Sequence, residues 1–320
     1  MVLGDDPTVA RLERTMAELL GKERALFFPS GIMANLTAVM AHAPPGTEAI
    51  IDAGGHILNY EEGGAAAWGG VQLRAVQTPD GLLDALSVGG AVRPRSPYMI
   101  QTALVCLENT HNSAGGRVLP VERMGEVVEV ARKRGVAVHL DGARLPNASM
   151  AAGLPMRAWA GLADTVTVAF SKGLGAPVGS VLAGGEEPME RAWRLRRRLG
   201  GGMRQVGLLA AAALYGLEHH FEGLAEDHRR AKWLAELAGR VGGVAVARPE
   251  TNIVMLDLED SEPAQVLAGL RERGVWLTQF GPQRLRAVLH RDIDDDAVER
   301  AGGALAEVLA DVPGAALPRS

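Results

Sequence analysis

The sequence predicts an α/β fold: a mostly parallel sheet in a large domain, followed by a small C-terminal α/β domain. Two observations carry this. Short apolar, β-branched runs alternate with helix-period segments along the first two thirds of the chain, as in a sheet buried on both faces. Polar residues also recur just past the ends of those runs, where open α/β sheets bind their ligands.

Asp6-Pro7 reads as an N-cap followed by proline at the first helical position. The helix should run through Val9, Leu12, Met16 and Leu20 to a stop at Gly21. Ala25–Phe28 is a short strand, and Pro29-Ser30-Gly31 turns into a helix carrying Met33, Leu36, Val39 and Met40. Glu48–Asp52 is a second strand, closed by Ala53-Gly54-Gly55-His56. A helix is expected from Tyr60 to Trp68, then a strand Val71–Ala75. A proline-rich linker through Pro94 and Pro97 leads to strand Thr102–Leu107, which ends in Glu108-Asn109-Thr110-His111-Asn112. A helix Val121–Arg134, closed by Gly135, precedes strand Val136–Leu140 and the turn Asp141-Gly142-Ala143-Arg144.

The apolar run from Thr165 stops at Ser171-Lys172-Gly173, and Ser180–Ala183 follows as a strand. Helices Glu186–Leu199 and Met203–Leu217 are separated by Gly200-Gly201-Gly202, which a continuous helix would disfavour. A polar helix Leu224–Ala238 opens the tail. There, strands Ile253–Asp257, Val275–Thr278 and Leu285–His290 interleave with helices Pro263–Arg273 and Asp294–Leu309. The expected domains are 1–222 and 223–320.

With 47% hydrophobic and 22% charged residues, the chain should bury a sizeable core. A net charge of −5 argues against a nucleic-acid or acidic-membrane partner. The single cysteine, Cys106, lies in an apolar run and reads as a core residue in a reducing compartment. No segment resembles a signal peptide, and no run of ~18 or more apolar residues could span a bilayer, so a cytoplasmic location is expected. The arginines at 191, 194, 196, 197 and 198 make one local basic face.

Ser30, His56, His111, Asp141, Arg144 and Lys172 thus fall at equivalent strand ends and should form one site. Its chemistry fits pyridoxal 5'-phosphate, which needs an amine to condense with its aldehyde and a carboxylate to keep its ring nitrogen protonated. Lys172 and Asp141 supply the two groups, and Asp141 must stay ionised to do so. The phosphate would sit at the Ser30-Gly31 helix N-terminus, and the flat ring of His56 could stack over the cofactor. No metal is expected.

Phe28–Asn35, His56-Ile57, Glu108–Asn112, His139–Arg144, Ser171–Ser180 and Leu199–Gln205 run in order along nearly the whole chain and resemble the low-specificity L-threonine aldolases. The resemblance implies a fold-type-I pyridoxal-phosphate domain with a small C-terminal domain, assembled as a homotetramer of dimers with sites at the dimer interface. Lys172 resembles the family's Schiff-base lysine and Asp141 its pyridinium partner. His56 resembles the residue stacked on the cofactor, and His111 a second histidine near the substrate hydroxyl. Arg144 and Arg286 match the arginines that hold the substrate carboxylate, a task suited to a two-pronged donor. Arg197 and Arg204 match a basic pair reaching the neighbouring subunit's phosphate, where the family has lysine at the position of Arg197.

The implied reaction is retro-aldol cleavage of L-threonine, L-allo-threonine and related β-hydroxy-α-amino acids to glycine and an aldehyde. A histidine, His56 or His111, or a water held by one, is the expected base. Two departures stand out. Ile32 replaces the threonine that usually follows the phosphate-site Ser-Gly, which removes a hydroxyl but leaves the backbone donors of Ser30, Gly31 and Ile32. The family's N-terminal arm, with a serine for the substrate carboxylate, is not found before Met1-Val-Leu-Gly4: either the start is misassigned or trimmed, or the arm is lost, and its loss would reduce or abolish activity even with the cofactor bound. The alternatives are another fold-type-I enzyme, a β-eliminating lyase or aminotransferase, or an inactive cofactor-binding member.

Overall fold

The computed structural model describes residues 6–311, so the chain start at Met1–Gly4 lies outside the described residues. The described residues form two compact units: one runs as far as Phe221 but leaves out Gly115–Arg117, and the other takes Gly115–Arg117 with the residues from Glu222 onward.

In the first unit, helix α1 (Pro7–Leu20) begins where the Asp6 carboxylate accepts from the N–H groups of Thr8 and Val9, and it ends at Gly21 with φ 62°. There follow β1 (Arg24–Phe28), α2 (Gly31–His42), β2 (Glu48–Asp52), α3 (His56–Asn59), α4 (Gly64–Ala67) and β3 (Gln72–Val76). Next come α5 (Ala85–Ala91), β4 (Thr102–Glu108), α6 (Val121–Lys133), β5 (Ala137–Asp141), α7 (Leu145–Ala152) and α8 (Arg157–Ala160). The unit closes with β6 (Thr165–Ala169), β7 (Ser180–Gly184), α9 (Glu186–Arg198) and α10 (Gly207–His219).

The seven strands pair in the order β1-β7-β6-β5-β4-β2-β3. Pairings β2–β3, β2–β4, β4–β5 and β5–β6 are parallel, while β7 runs against both β6 and β1. Strands β1, β2, β4, β5 and β6 therefore all point one way, and the residues that follow them emerge at one edge of the sheet. Leu12, Met16, Leu20, Val105, Leu140, Val166, Phe170 and Trp159 pack into the main core. The indole N–H of Trp159 donates to the Leu119 carbonyl at 2.7 Å, so the buried ring keeps its polar atom satisfied. Cys106 is buried, and that burial pushes its thiol up and out of the nucleophile range.

Two local expectations fail for clear reasons. The helix expected over 60–68 is broken, because Glu62 and Gly63 adopt φ of 50° and 66°, conformations that end a right-handed helix. The proline-rich linker contains α5, which is nucleated by a reciprocal cap: the Asp84 carboxylate accepts from Ser87 N–H, and the Ser87 hydroxyl oxygen accepts from Asp84 N–H.

The second unit holds α11 (Leu224–Ala238), β8 (Val244–Val246), β9 (Ile253–Leu258), α12 (Pro263–Glu272), β10 (Thr278–Gln279), β11 (Arg284–Val288) and α13 (Asp295–Asp311). Its sheet is antiparallel throughout, in the order β10-β11-β9-β8, over a core that includes Leu234, Val254, Leu256, Leu285 and Leu305. Among the described residues, no helix is long and apolar enough to cross a membrane.

Candidate active site

Ser30 follows β1, His56 follows β2, His111 follows β4, Asp141 ends β5 with Arg144 just beyond, and Lys172 follows β6. These six sequence-predicted residues thus come out along one sheet edge, whereas Arg197 lies in α9 and Arg204 in the segment between α9 and α10. Arg286, on β11, belongs to the second unit, where its guanidinium lies 4.5 Å from the centroid of the Phe280 ring.

Asp141 is only 2% exposed. Its Oδ1 accepts from Ala143 N–H at 3.0 Å and its Oδ2 from the Asn35 amide at 2.8 Å. Both donors are neutral, so this buried carboxylate is solvated without being neutralised by them. A cationic ring nitrogen is the partner such a group fits. Gly142 must be glycine here, because an added Cβ would lie 2.5 Å from the Thr167 carbonyl oxygen.

Ser30 caps α2, its hydroxyl oxygen accepting from Met33 N–H at 3.2 Å. An added Cβ on Gly31 would meet nothing within 4 Å, which leaves the helix N-terminus open to an anion. The residues present therefore fit pyridoxal phosphate at both its ring nitrogen and its phosphate, with Lys172 as the amine on the same edge.

His56 opens α3 behind Gly55, where an added Cβ would sit 2.7 Å from Ile51 Cγ1. Its backbone N–H donates to Glu108 Oε2 at 2.8 Å, and its side chain is 27% exposed. Nδ1 stands 2.9 Å from Glu61 Oε1. The hydrogen bond that His56 donates to Glu61 raises the His56 pKa, and burial only partly counters it. Glu61 is itself raised by burial, although bonding to His56 and Asn35 pulls it back. With a carboxylate oxygen facing Nδ1, the network assigns the proton to Nδ1 and leaves a lone pair on Nε2.

His111 is arranged the other way. Its Nδ1 accepts from Ala114 N–H at 3.2 Å, so the proton falls on Nε2, 3.3 Å from Asp52 Oδ1 and 3.9 Å from Glu108 Oε2. Burial depresses this histidine, but Asp52 and Glu108 outweigh it and the net shift is upward. Asp52 in turn is pushed up by burial and more than brought back by His111, Thr78 and Gly54, and ends below its ordinary value. Nδ1 of His111 is thus engaged, while Nε2 faces two carboxylates but makes no hydrogen bond of good geometry to either.

Arg144 Nη1 donates to Asn112 Oδ1 at 3.2 Å, which orients its guanidinium. Arg197 and Arg204 are exposed, with Arg197 stacked 5.3 Å from the Trp193 ring centroid. The basic face of α9 divides: Arg194 pairs with Glu190 at 2.7 Å, Arg191 pairs with Glu187, and Arg196 is buried, donating to the Phe27 carbonyl at 2.7 Å.

Sequence reasoning missed Glu61 and Asn35. One ligand-type atom each of His56, Glu61 and Asp141 lies within 4.8 Å of the others, a spacing also seen in metal centres. Here the histidine proton and the Asn35 amide bridge those atoms, so the cluster is knit by hydrogen bonds. The signal for Asn35 was a polar residue inside an apolar helix, seven of whose twelve residues are buried.

A seven-stranded sheet with one reversed strand, a buried aspartate and a strand-end lysine define a fold-type-I pyridoxal-phosphate-dependent enzyme. The profile of the family described as beta-eliminating lyase matches residues 1–261. Low-specificity L-threonine aldolase 1 of Arabidopsis thaliana is 45% identical over 301 residues, covering 91% of this chain and 84% of that protein. The low specificity L-threonine aldolase of Escherichia coli K12 is 40% identical over 293 residues, covering 91% and 86%. The crystal structure of a putative L-allo-threonine aldolase from Listeria monocytogenes superposes with a TM-score of 0.83 at 25% identity, covering 96% and 88%. The chain belongs to the low-specificity L-threonine aldolases, within the beta-eliminating lyase family.

Proposed function

We propose that this protein cleaves L-threonine, L-allo-threonine and related β-hydroxy-α-amino acids to glycine and an aldehyde, using pyridoxal 5'-phosphate. The observation that carries the reading is the buried Asp141 carboxylate, held by neutral donors on the same sheet edge as Lys172. When bound, the cofactor supplies an electron sink for the bond that breaks.

The protein's own groups do the rest. Lys172 anchors the cofactor through its amine, and Asp141 holds the ring nitrogen protonated. The open N-terminus of α2 at Ser30, Gly31 and Ile32 takes the phosphate. Arg144, oriented by Asn112, holds the substrate carboxylate, a role shared with Arg286 by resemblance. Fixing the carboxylate would fix the orientation of the substrate's Cα bonds, and so which of them is set to break. His56 Nε2 carries the lone pair that accepts the β-hydroxyl proton, with Glu61 steadying the charge that develops on the ring. His111, whose Nδ1 accepts from Ala114 N–H and whose proton therefore sits on Nε2, can offer the hydroxyl a donor but no base, so it positions the hydroxyl rather than deprotonating it.

Arg197 and Arg204 serve the phosphate of a neighbouring subunit in a homotetramer, and the protein works in the cytoplasm. Incubation with L-threonine and with L-allo-threonine tests the reading. Glycine and acetaldehyde in equal amounts are expected; ammonia or an oxo acid points to a β-eliminating lyase or aminotransferase, and no product overturns the assignment.

A further inference from the structure

Behind Asp141 runs a string of buried polar side chains that the reaction above does not use. His42 Nε2 is 3.0 Å from Thr165 Oγ1, and Thr165 Oγ1 is 3.0 Å from His139 Nδ1. His139 Nε2 is 3.2 Å from Asn35 Oδ1, which also accepts from the Thr167 hydroxyl at 2.9 Å. The Asn35 amide nitrogen lies 2.8 Å from Asp141 Oδ2 and 2.8 Å from Glu61 Oε1.

Counting donors and acceptors gives every link one direction. Two carboxylate oxygens face one end of Asn35, so that end is the NH2 and each of its hydrogens is committed. The other end is then the carbonyl, and His139 must present Nε2–H to it. Burial pushes His139 down to about 4, so near neutral pH the ring carries a single proton and Nδ1 is an acceptor. Thr165 donates its only hydrogen there, which obliges it to accept from His42 Nε2–H. The string therefore runs from half-buried His42 inward, every donor aimed at the two carboxylates.

We infer that Asn35 is a positioning residue: clamped from behind by the His42–Thr165–His139 chain, it divides its amide between Asp141 and Glu61 and so sets both carboxylates, one toward the cofactor ring and one onto His56. This deepens the functional reading above and rests on it. Two buried acids that share a site repel one another. Presenting one N–H to each, from an amide whose carbonyl is itself tied down, lets both remain acceptors a few ångströms apart. A side chain with the same shape but no donor would turn oxygen toward oxygen.

Asn35→Asp makes that change at constant volume, and two measurements on the full chain read it. Imidazole nitrogen NMR should show His139 with its proton on Nε2 in the wild type. Equilibrium dialysis should show pyridoxal phosphate binding weakened by ~10-fold or more in Asn35→Asp, as expected when buried polar groups lose their partner. Should that variant not fold, His42→Leu removes only the outer end of the chain. It should shift the His139 resonances and weaken cofactor binding a few-fold, and His42→Gln, whose amide N–H can replace Nε2–H, should restore both. A role in packing alone predicts lowered thermal stability with cofactor affinity and His139 resonances unchanged. A His139 proton on Nδ1, or equal cofactor affinity in wild type and the folded variants, overturns the inference. A wild-type chain that does not bind pyridoxal phosphate sinks the functional reading as well.

Discussion

Glu61 decides which nitrogen of His56 carries its proton: its Oε1 sits 2.9 Å from Nδ1 and turns the Nε2 lone pair outward. The same contact is the largest cause of the upward shift in the His56 pKa. Glu61→Gln should therefore lower that pKa, and the acid limb of kcat/KM should move to lower pH, because the base stays neutral further into acid. A glutamine that donates to Nδ1 also favours the wrong tautomer, so kcat/KM at neutral pH should fall ~10- to 100-fold, about 1–3 kcal/mol of transition-state stabilisation. A pH–rate profile that keeps its acid limb in place would remove Glu61 from the proton's path.

Lys172→Ala tests the amine. The purified wild-type protein should show an absorption band near the visible edge once supplied with pyridoxal phosphate, and the variant should lack it. Turnover should drop ~10³-fold or more, equivalent to about 4 kcal/mol. A variant that keeps both band and activity places the reacting amine elsewhere.

Arg144 is presented by a hydrogen bond to Asn112, and a guanidinium can grip a carboxylate with two parallel donors where an ammonium cannot. Arg144→Lys should raise KM for L-threonine by ~10-fold or more, with a smaller change in kcat if the arginine mainly binds. Loss confined to kcat, with KM unchanged, would instead make Arg144 an orienting group felt only in the transition state.

Much of this was legible in the sequence because its causes are local. The Asp6-Pro7 cap and the Gly21 stop need only neighbouring atoms, and β2 falls on Glu48–Asp52 as its apolar run predicts. Lys172 and Asp141 stood out because polar groups at strand ends break an apolar pattern. Asn35 did not, since it reaches Asp141 across 106 positions, and Glu61, though only five positions from His56, sat inside an expected helix with nothing to show that it turns toward that ring. The choice between His56 and His111 was also hidden, because it turns on which ring nitrogen meets Glu61 or Ala114 N–H. The break at Glu62-Gly63 depended on a left-handed conformation at a glutamate, which composition does not announce.

The buried histidines give a pH dependence of stability with a definite sign. Burial depresses His139 to about 4 and lowers His42, both from an ordinary value near 6.5. The unfolded chain then binds more protons between those values. The His139 contribution to stability is present in full above pH ~6.5 and is lost as the pH falls toward 4, at ~1 kcal/mol per pH unit, and His42 acts in the same direction. In the second unit two groups oppose each other: His228 is pushed down to about 4 and Asp227 up to about 6, so their slopes cancel over much of that range. Denaturation midpoints at pH 7, 5.5 and 4.5 should fall with acid for wild type, and less steeply for His139→Gln. Equal slopes in both would mean His139 is protonated in the folded state.

Gly142 offers a test of how tightly the Asp141 turn is built. A methyl group there would meet the Thr167 carbonyl oxygen at 2.5 Å and Leu145 Cβ at 3.1 Å; the first is backbone and cannot swing aside. Relief requires the turn to move. The Asp141 carboxylate would move with it, since the adjoining Ala143 N–H is one of its donors. Gly142→Ala should cost about 1–3 kcal/mol, the usual range for overpacking, and should weaken pyridoxal phosphate binding as well. Gly125, inside α6 with nothing within 4 Å of an added Cβ, is the matched control. Gly125→Ala should stabilise by up to about 1 kcal/mol through helix propensity and leave cofactor affinity alone. Thermal unfolding and cofactor titration of the two variants side by side check both halves: if Gly142→Ala binds the cofactor as wild type does, the turn yields without moving Asp141, and the carboxylate is held without the Ala143 N–H.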